Sequence, residues 1–253
     1  MNKLKQDAFL IAILKLLPER RYKGIGRRPI PNSILIPILL DFLWNGLRWR
    51  DIDHSITCWN YLHELQRRGL FKKILNFINR KISRFKSKKV SIDCSELESF
   101  NLNKECSFSG KSWNYCTKLT LEVDQNYIPL NILFNKGSAP DTRELDKLLS
   151  KRKKLPIEMH LDKGFENYAR RRKLKTQGCQ VRMEQKVYKN NRKRGSKFHC
   201  SKEDKAERTK IERYFAWIQN FRAVRLRTAK LPSMFHAAVL IAILYYHPLI
   251  SHF

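Results

Sequence analysis

Three acidic residues stand where chemistry is possible. Asp93 ends the short apolar run Val90-Ser91-Ile92, and Asp162 ends the run Ile157–Leu161. Glu212 lies among arginines and aromatics in the stretch 201–227, SKEDKAERTKIERYFAWIQNFRAVRLR. An Asp at the end of a short apolar strand is how an α/β sheet presents functional groups to a crevice. Carboxylates from separate segments can hold a hard divalent cation such as Mg²⁺, which takes oxygen ligands and needs no His or Cys. A second reading of Glu212 stands beside this one: Arg208, one turn earlier, makes an ordinary intrahelical pair with it on a solvated face. Glu96, Glu98, Asp124 and Glu166 compete as acids, although Asp124 in a hairpin turn and Glu166 at a helix start need only structural roles.

These groups must be positioned by regular elements. Ser201 with Asp204 forms an N-terminal cap signal, and Ile211, Phe215, Ile218 and Phe221 recur at roughly helical spacing, which predicts a long amphipathic helix carrying Glu212. Val90 and Ile92 alternate with Ser91 and Asp93, so a strand there turns Asp93 away from the aliphatic pair. The segment 106–114 reads as a polar loop. Thr117–Val123 alternates cleanly, Asp124-Gln125-Asn126 turns the chain, and Tyr127–Phe134 returns, with Pro129 marking an edge or bulge. Asp141 with Glu144 predicts a capping box for a helix bearing Leu145, Leu148 and Leu149. A strand at Ile157–Leu161, a helix at Asn167–Leu174 and a strand at Cys179–Met183 follow. Lys186–Lys197 is a basic loop with one aromatic, suited to tracking a DNA backbone or simply to solvent. Pro232 and Pro248 bracket a final apolar helix, expected to lie as a lid on the sheet.

The N-terminal third has a different texture. Residues 4–17 predict a short helix, and a second carries Ile34, Leu35, Ile38, Leu39 and Phe42 with Gly46 as its stop. Leu47–Ile52 starts a further short helix, Ser55 caps one bearing Trp59, Leu62 and Leu65 up to Gly69, and Phe71, Ile74, Leu75 and Ile78 space out the last. Arg80–Lys89 is a charge run marking a junction. Short helices with tight turns and exposed arginines suit a helix-turn-helix module as well as a plain helical packing domain. In the first case Ser55–Arg68 is the recognition helix, with Asn60, His63, Gln66 and Arg67 facing a groove.

Composition narrows the partner. The chain has 253 residues, 42% of them hydrophobic, enough for a real core and against disorder throughout. Its formal net charge of +29 exceeds what a small-molecule enzyme needs and points to a polyanion. Six cysteines show no C-x-x-C pair and no zinc spacing, which suits reduced thiols inside a cell, and His199-Cys200 reads as two loop residues. Ala8–Leu14 is interrupted by Lys15 and Ala237–Tyr246 is too short to span a bilayer. No membrane partner is expected, and the cytoplasm, at the nucleoid, is the expected location.

The IDCS segment around Asp93, LDKGFEN at 161–167, and R-x-x-x-E at 208–212 followed by F-A-W-I-x-x-F-R at 215–222 make the chain resemble the DDE transposases of prokaryotic insertion sequences. It is most similar to the short members of insertion sequence family five, from about Gly26 onward. The family's larger relatives place a Tyr three residues before the Arg and a Lys seven after the Glu, where this chain has Lys205 and Gln219. The resemblance implies an α/β protein: a ribonuclease H-like mixed-sheet catalytic domain over residues 86–253, preceded by a small all-helical, helix-turn-helix-like DNA-binding domain over 1–80. It implies Asp93 bridging two Mg²⁺ ions, with Mn²⁺ able to substitute, Asp162 holding one ion and Glu212 the other. Lys163, Arg208, Arg222 and Arg225 would hold DNA. The implied partners are double-stranded DNA, as element ends and as target, and a second copy of the chain, since two DNA ends require at least a homodimer. A catalytically inactive DNA-binding protein, either a decayed transposase or a regulator, is the alternative, and an unrelated ribonuclease H-like nuclease a narrower third.

Overall fold

The computed structural model describes residues 2–253 except 23, 25, 83–87, 100–102, 153, 185–199 and 228. The basic loop 186–197, His199 and the middle of the 80–89 junction therefore lie outside the described residues. In chain order the elements are α1 (Lys3–Leu16), α2 (Asn32–Asn45), α3 (Ser55–Arg67), α4 (Leu70–Ile82), β1 (Lys89–Glu98), β2 (Ser107–Ser109), β3 (Asn114–Asp124) and β4 (Pro129–Lys136). They continue as α5 (Asp141–Ser150), β5 (Glu158–Leu161), α6 (Tyr168–Thr176), β6 (Gln180–Arg182), α7 (Lys202–Ile218), α8 (Arg222–Arg225) and α9 (Pro232–Tyr245), with a 3-10 turn at Lys163–Phe165. The contacts divide into two compact units: Met1–Arg84, Leu97–Lys104 and Trp217–Phe253 form a helical unit, and Phe85–Glu96 with Glu105–Ala216 form a sheet unit.

In the helical unit, α3 buries Cys58, Tyr61, Leu62 and Leu65 and leaves Asn60, Glu64 and Arg67 exposed, the division its periodicity demands. Gly46 ends α2 in the left-handed region at φ 64, and a Cβ there would come within 2.9 Å of the Arg222 Cβ, so the glycine serves both the turn and the close approach of α8. The helix expected at 47–52 is only a 3-10 turn, Trp49–Asp51, closed by the Arg48–Asp51 ion pair. Helix α9, expected as a lid on the sheet, instead packs on α3, α4 and α8. Ala237–Tyr245 are all buried, and a helix apolar on every side requires neighbours on every side. Thus residues 217–253, expected with the catalytic domain, pack with the N-terminal helices.

Just after α9, His247 is 2% exposed. The Leu249 N–H donates to its Nδ1 at 3.2 Å, so Nε2 carries the proton and donates to Asn79 Oδ1 at 3.0 Å. Burial pushes the imidazole pKa down to about 4. An unfolded His binds its proton near 6.5, so this group's contribution to stability is intact above that pH and is lost as pH falls toward the folded value. The loss amounts to about 3 kcal/mol, at about 1.4 kcal/mol per pH unit. Urea unfolding at neutral pH and near pH 4 is expected to show that difference, and His247→Gln is expected to flatten it; an unchanged pH dependence in the variant would assign the acid lability elsewhere.

The sheet unit carries the strand order β2-β3-β1-β5-β6, with β4 pairing β3. β1 with β5 and β5 with β6 are parallel, whereas β2 with β3 and β3 with β4 are antiparallel. A bulge at Glu122/Val123 sets Val123 opposite Pro129, and β4 pairs β3 alone among the described strands, so the proline sits at a bulge on an edge strand. The expected polar loop at 106–114 contains β2, which extends the sheet by pairing with the start of β3. On one face Val90 and Ile92 of β1 and Met159 and Leu161 of β5 form the core with Leu145 and Leu148 of α5 and Leu174 of α6. On the other face Ser91 Oγ donates to the Glu207 carbonyl of α7 at 2.9 Å. The Asp141–Glu144 capping box does not form. Pro140 occupies the N-cap position, Asp141 pairs with Lys118, and the buried Glu144 accepts from Asn135 and Lys147. At Asp141 a fully charged tertiary partner, Lys118, outcompetes the local cap.

Candidate active site

Strand alternation and register bring two of the three acids together. Ile92 and Leu161 are register partners on parallel neighbours, so Asp93 and Asp162 are the next residue of each chain segment, at strands roughly 4.8 Å apart. Ile92 and Leu161 point into the α5/α6 core, and the alternation turns Asp93 and Asp162 to the opposite face, the one α7 covers.

Helix α7 is fixed at several points. Ser201 and Asp204 form the reciprocal cap foreseen from the sequence, with Asp204 N to Ser201 Oγ at 3.1 Å and Ser201 N to Asp204 Oδ2 at 3.0 Å. Lys210 Nζ donates to the Gln125 carbonyl in the β3–β4 turn at 3.0 Å. Held this way, α7 presents Arg208 to two carboxylates: Nη1 donates to Asp162 Oδ1 at 2.8 Å, and Nη2 lies 3.1 Å from Glu212 Oε1. The intrahelical Arg208–Glu212 pair exists, but the same guanidinium also reaches an acid on another strand. It links the second and third candidate acids.

Asp93 is the most desolvated of the three. Its Oδ1 accepts from the Cys94 N–H at 2.8 Å. Burial pushes its pKa up to about 6, with the negative charge of Asp162 adding to the rise, while the Cys94 N–H, Lys111 and Arg208 oppose it. Asp162 Oδ2 accepts from the Gly164 N–H at 3.2 Å and caps the 3-10 turn, which leaves Lys163 exposed next to the acids.

Sequence reading missed Asp141. A Cβ built on Gly164 would lie 3.0 Å from Asp141 Oδ2 and 3.4 Å from Asp162 Oδ2, so the glycine of LDKGFEN leaves room for two carboxylates. The other oxygen of Asp141 accepts from Lys118 Nζ at 2.7 Å, and Lys118 also donates to the Ala139 carbonyl at 2.6 Å. The available signal, Asp141 three residues before Glu144, mimics a capping box.

The donor chemistry suits a hard divalent cation: oxygen ligands only, with one carboxyl destabilised in its charged form and able to gain from a nearby positive charge. As the side chains stand, no group of three or more His, Cys, Asp or Glu among the described residues is placed to hold a metal ion. Arg208 supplies the positive charge between Asp162 and Glu212.

The competing acids have structural partners. Asp124 Oδ1 accepts from the N–H groups of Asn126 and Ile128 in its turn, and Glu96 accepts from Ser109 Oγ. Near the sheet edge, a cleft of about 820 Å³ is lined by Tyr168, Arg171, Arg172 and Lys175 of α6 and by Arg182 of β6. In the helical unit, Asn60 and Arg67 are exposed on α3, and half-buried His63 stacks on Trp59 with ring centroids 5.2 Å apart. Arg222 and Arg225 are exposed on α8 of the same unit. All six cysteines are free, and no helix among the described residues is long and apolar enough to cross a membrane.

Residues 88–246 match the family model of the transposase DDE domain. Over 85 residues the chain is 32% identical to the insertion element IS402 uncharacterized 16.2 kDa protein of Burkholderia cepacia, an alignment that takes in 30% of this chain and 58% of that protein. The solved structure of a piggyBac transposase synaptic complex with hairpin DNA is similar at a TM-score of 0.49 and 13% identity, covering 96% of this chain and 70% of that one.

Proposed function

Because the chain belongs to the transposase DDE domain family, we propose that it cuts and rejoins DNA at the terminal repeats of a mobile element, with Asp93, Asp162 and Glu212 as its reactive acids. The observation that carries this reading is the pairing of Asp93 and Asp162 at adjacent strand positions, tied to Glu212 through Arg208. The order β2-β3-β1-β5-β6, with β4 also pairing β3, the first acid on β1, the second at the end of β5 and the third on a later helix, supports a ribonuclease H-like assignment for the sheet unit. The outer side of α3, with Asn60 and Arg67 exposed and His63 half-buried at helical spacing, supports a helix-turn-helix-like role for the helical unit.

DDE transposases generally use divalent metal ions. Here Asp93, Asp162 and Glu212 would hold two Mg²⁺ ions, or Mn²⁺ in their place, which when bound stabilise charge on the phosphate. The protein's own groups do the rest. Asp93 must lose its proton, and its raised pKa of about 6 leaves it mostly ionised above neutrality. Arg208 must release both Asp162 and Glu212 for the three acids to act together, and its guanidinium is then free to turn to a phosphate oxygen. Lys163, exposed beside Asp162, and Arg222 and Arg225 on α8 hold the DNA backbone. The substrate is double-stranded DNA, as element end and as target, and two ends call for two copies of the chain. The chromosome places this reaction in the cytoplasm, at the nucleoid.

Incubation of the full chain with Mg²⁺ and a duplex bearing the element's terminal repeat tests the reading. Strand cleavage at the repeat boundary is the expected result. Tight, repeat-specific binding with no cleavage in either Mg²⁺ or Mn²⁺ would instead establish a DNA-binding protein without activity.

A further inference from the structure

The tip of the β2–β3 hairpin has no part in the chemistry described above, yet it carries an unusual surface. Phe108, Trp113 and Tyr115 are 44%, 77% and 48% exposed. They are not scattered: Phe108 and Tyr115 are cross-strand partners with ring centroids 5.8 Å apart, and Phe108 meets Trp113 edge-on at 6.1 Å. Trp113 sits at φ 57, a left-handed conformation uncommon for a bulky residue, and its N–H donates to the Ser109 carbonyl at 2.8 Å. The turn thus holds an indole in solvent at some backbone cost, where Gly or Asn would fit more easily.

The location of this surface indicates its occupant. β1 continues past Asp93 to Glu96, whereas β5 has already ended at Leu161. Ser109 Oγ donates to Glu96 Oε1 at 2.9 Å, which pins the hairpin to that continuation. Glu96 lies three residues beyond Asp93 along the strand, about 10 Å away. The aromatic tip therefore stands at the same end of the sheet as Asp93 and Asp162. Exposed Lys111, in the turn itself, adds a positive charge beside the rings. Aromatic faces beside a cation match one chemistry well in a strongly basic chain: a nucleobase with its phosphate.

We propose that Trp113, with Phe108 and Tyr115 behind it and Lys111 beside it, is a stacking platform for an unpaired base of the DNA strand held at the acids. The inference rests on the DNA-cutting reading above and adds to it how the strand is gripped beside the reacting phosphate. Stacking is tolerant of base identity, so the platform fixes the position of an unstacked nucleotide and leaves sequence recognition to other surfaces.

The test uses the full chain in EDTA, so that no strand is cut, and a duplex with a short single-stranded extension whose first unpaired base is 2-aminopurine. Wild-type protein is expected to quench the 2-aminopurine fluorescence severalfold and to bind the extended duplex about tenfold more tightly than a blunt one. Trp113→Ala is expected to lose both effects while binding blunt duplex as before, Trp113→Phe to keep most of them, and Phe108→Ala to weaken them. Full quenching by Trp113→Ala overturns the proposal. So does a Trp113→Ala variant whose quenching is unchanged but whose sedimentation shifts from dimer to monomer, which would make the tip a contact between copies. Failure of the cutting reading looks different: quenching would persist while Mg²⁺ produced no cleavage in a parallel reaction.

Discussion

Asp93→Asn is expected to lower Mg²⁺-dependent strand cleavage by about 10³-fold or more, the scale on which loss of a central reactive group is felt, while DNA binding is retained or tightened. The substitution keeps the size and most of the hydrogen bonding of the side chain but removes the charge that would hold a cation, and it removes a negative charge facing DNA. Asp162→Asn and Glu212→Gln are expected to behave alike, because an incomplete set of acids cannot hold two ions. A stability measurement gives an independent reading of Asp93. Its folded pKa, about 6, lies above the ordinary carboxylate value, so its contribution to stability is present at low pH and is lost as pH rises through 6. At alkaline pH the ionised, half-buried carboxylate costs about 3 kcal/mol, which Asp93→Asn relieves. In EDTA near pH 8 the variant is therefore expected to melt higher than the wild type, and near pH 4 the two should coincide. Glu166→Gln serves as the control and should keep its cleavage activity. Full cleavage by the Asp93 variant, or loss of DNA binding in all three variants, would show that these acids serve only the fold.

The sheet unit was legible to the extent that alternation and capping are local. The strands at 89–98, 114–124 and 129–136 follow period-two patterns, and the α7 cap uses residues three apart. The pairing of Asp93 with Asp162 was harder to foresee, since it depends on the register of two parallel strands whose segments lie far apart in the chain. Two features escaped because a nonlocal contact overrode a local preference. Asp141 looks like a capping residue, but Lys118 on β3 is the stronger partner. Helix α9 is apolar all round, and such a pattern says that it is buried without saying against what. Arg208 illustrates the same limit: its spacing to Glu212 is readable at one turn, whereas its bond to Asp162 spans 46 residues. The expected helix at 47–52 failed for a local reason, since its three-residue turn is too short to pass the unfavourable first step of helix formation.

Because α9 packs on α3 and α4, a fragment limited to residues 1–80 would expose apolar surface that the chain buries, so DNA binding is best measured on the whole protein. Its affinity for a duplex is expected to fall by about 10³ to 10⁵ between roughly 50 and 200 mM salt, as contact with about six to ten phosphates releases a matching number of counterions. The formal charge of +29 makes that number attainable without any one contact being dominant. Two surfaces then separate by the way they respond. Removing charge from the α6–β6 cleft, as in Arg172→Ala with Lys175→Ala, deletes phosphate contacts and is expected to shallow the salt slope by about two while weakening all sequences equally. Asn60→Ala on α3 removes a neutral side chain, so its slope should stay as it was while the preference for the terminal repeat over unrelated DNA shrinks by about tenfold, the cost of one lost base contact. Filter binding across a salt series on both duplexes reads slope and preference together. A flat salt response in the wild type would remove the electrostatic basis for DNA as the partner, and an unchanged preference in Asn60→Ala would take α3 out of sequence recognition while leaving the carboxylate site untouched.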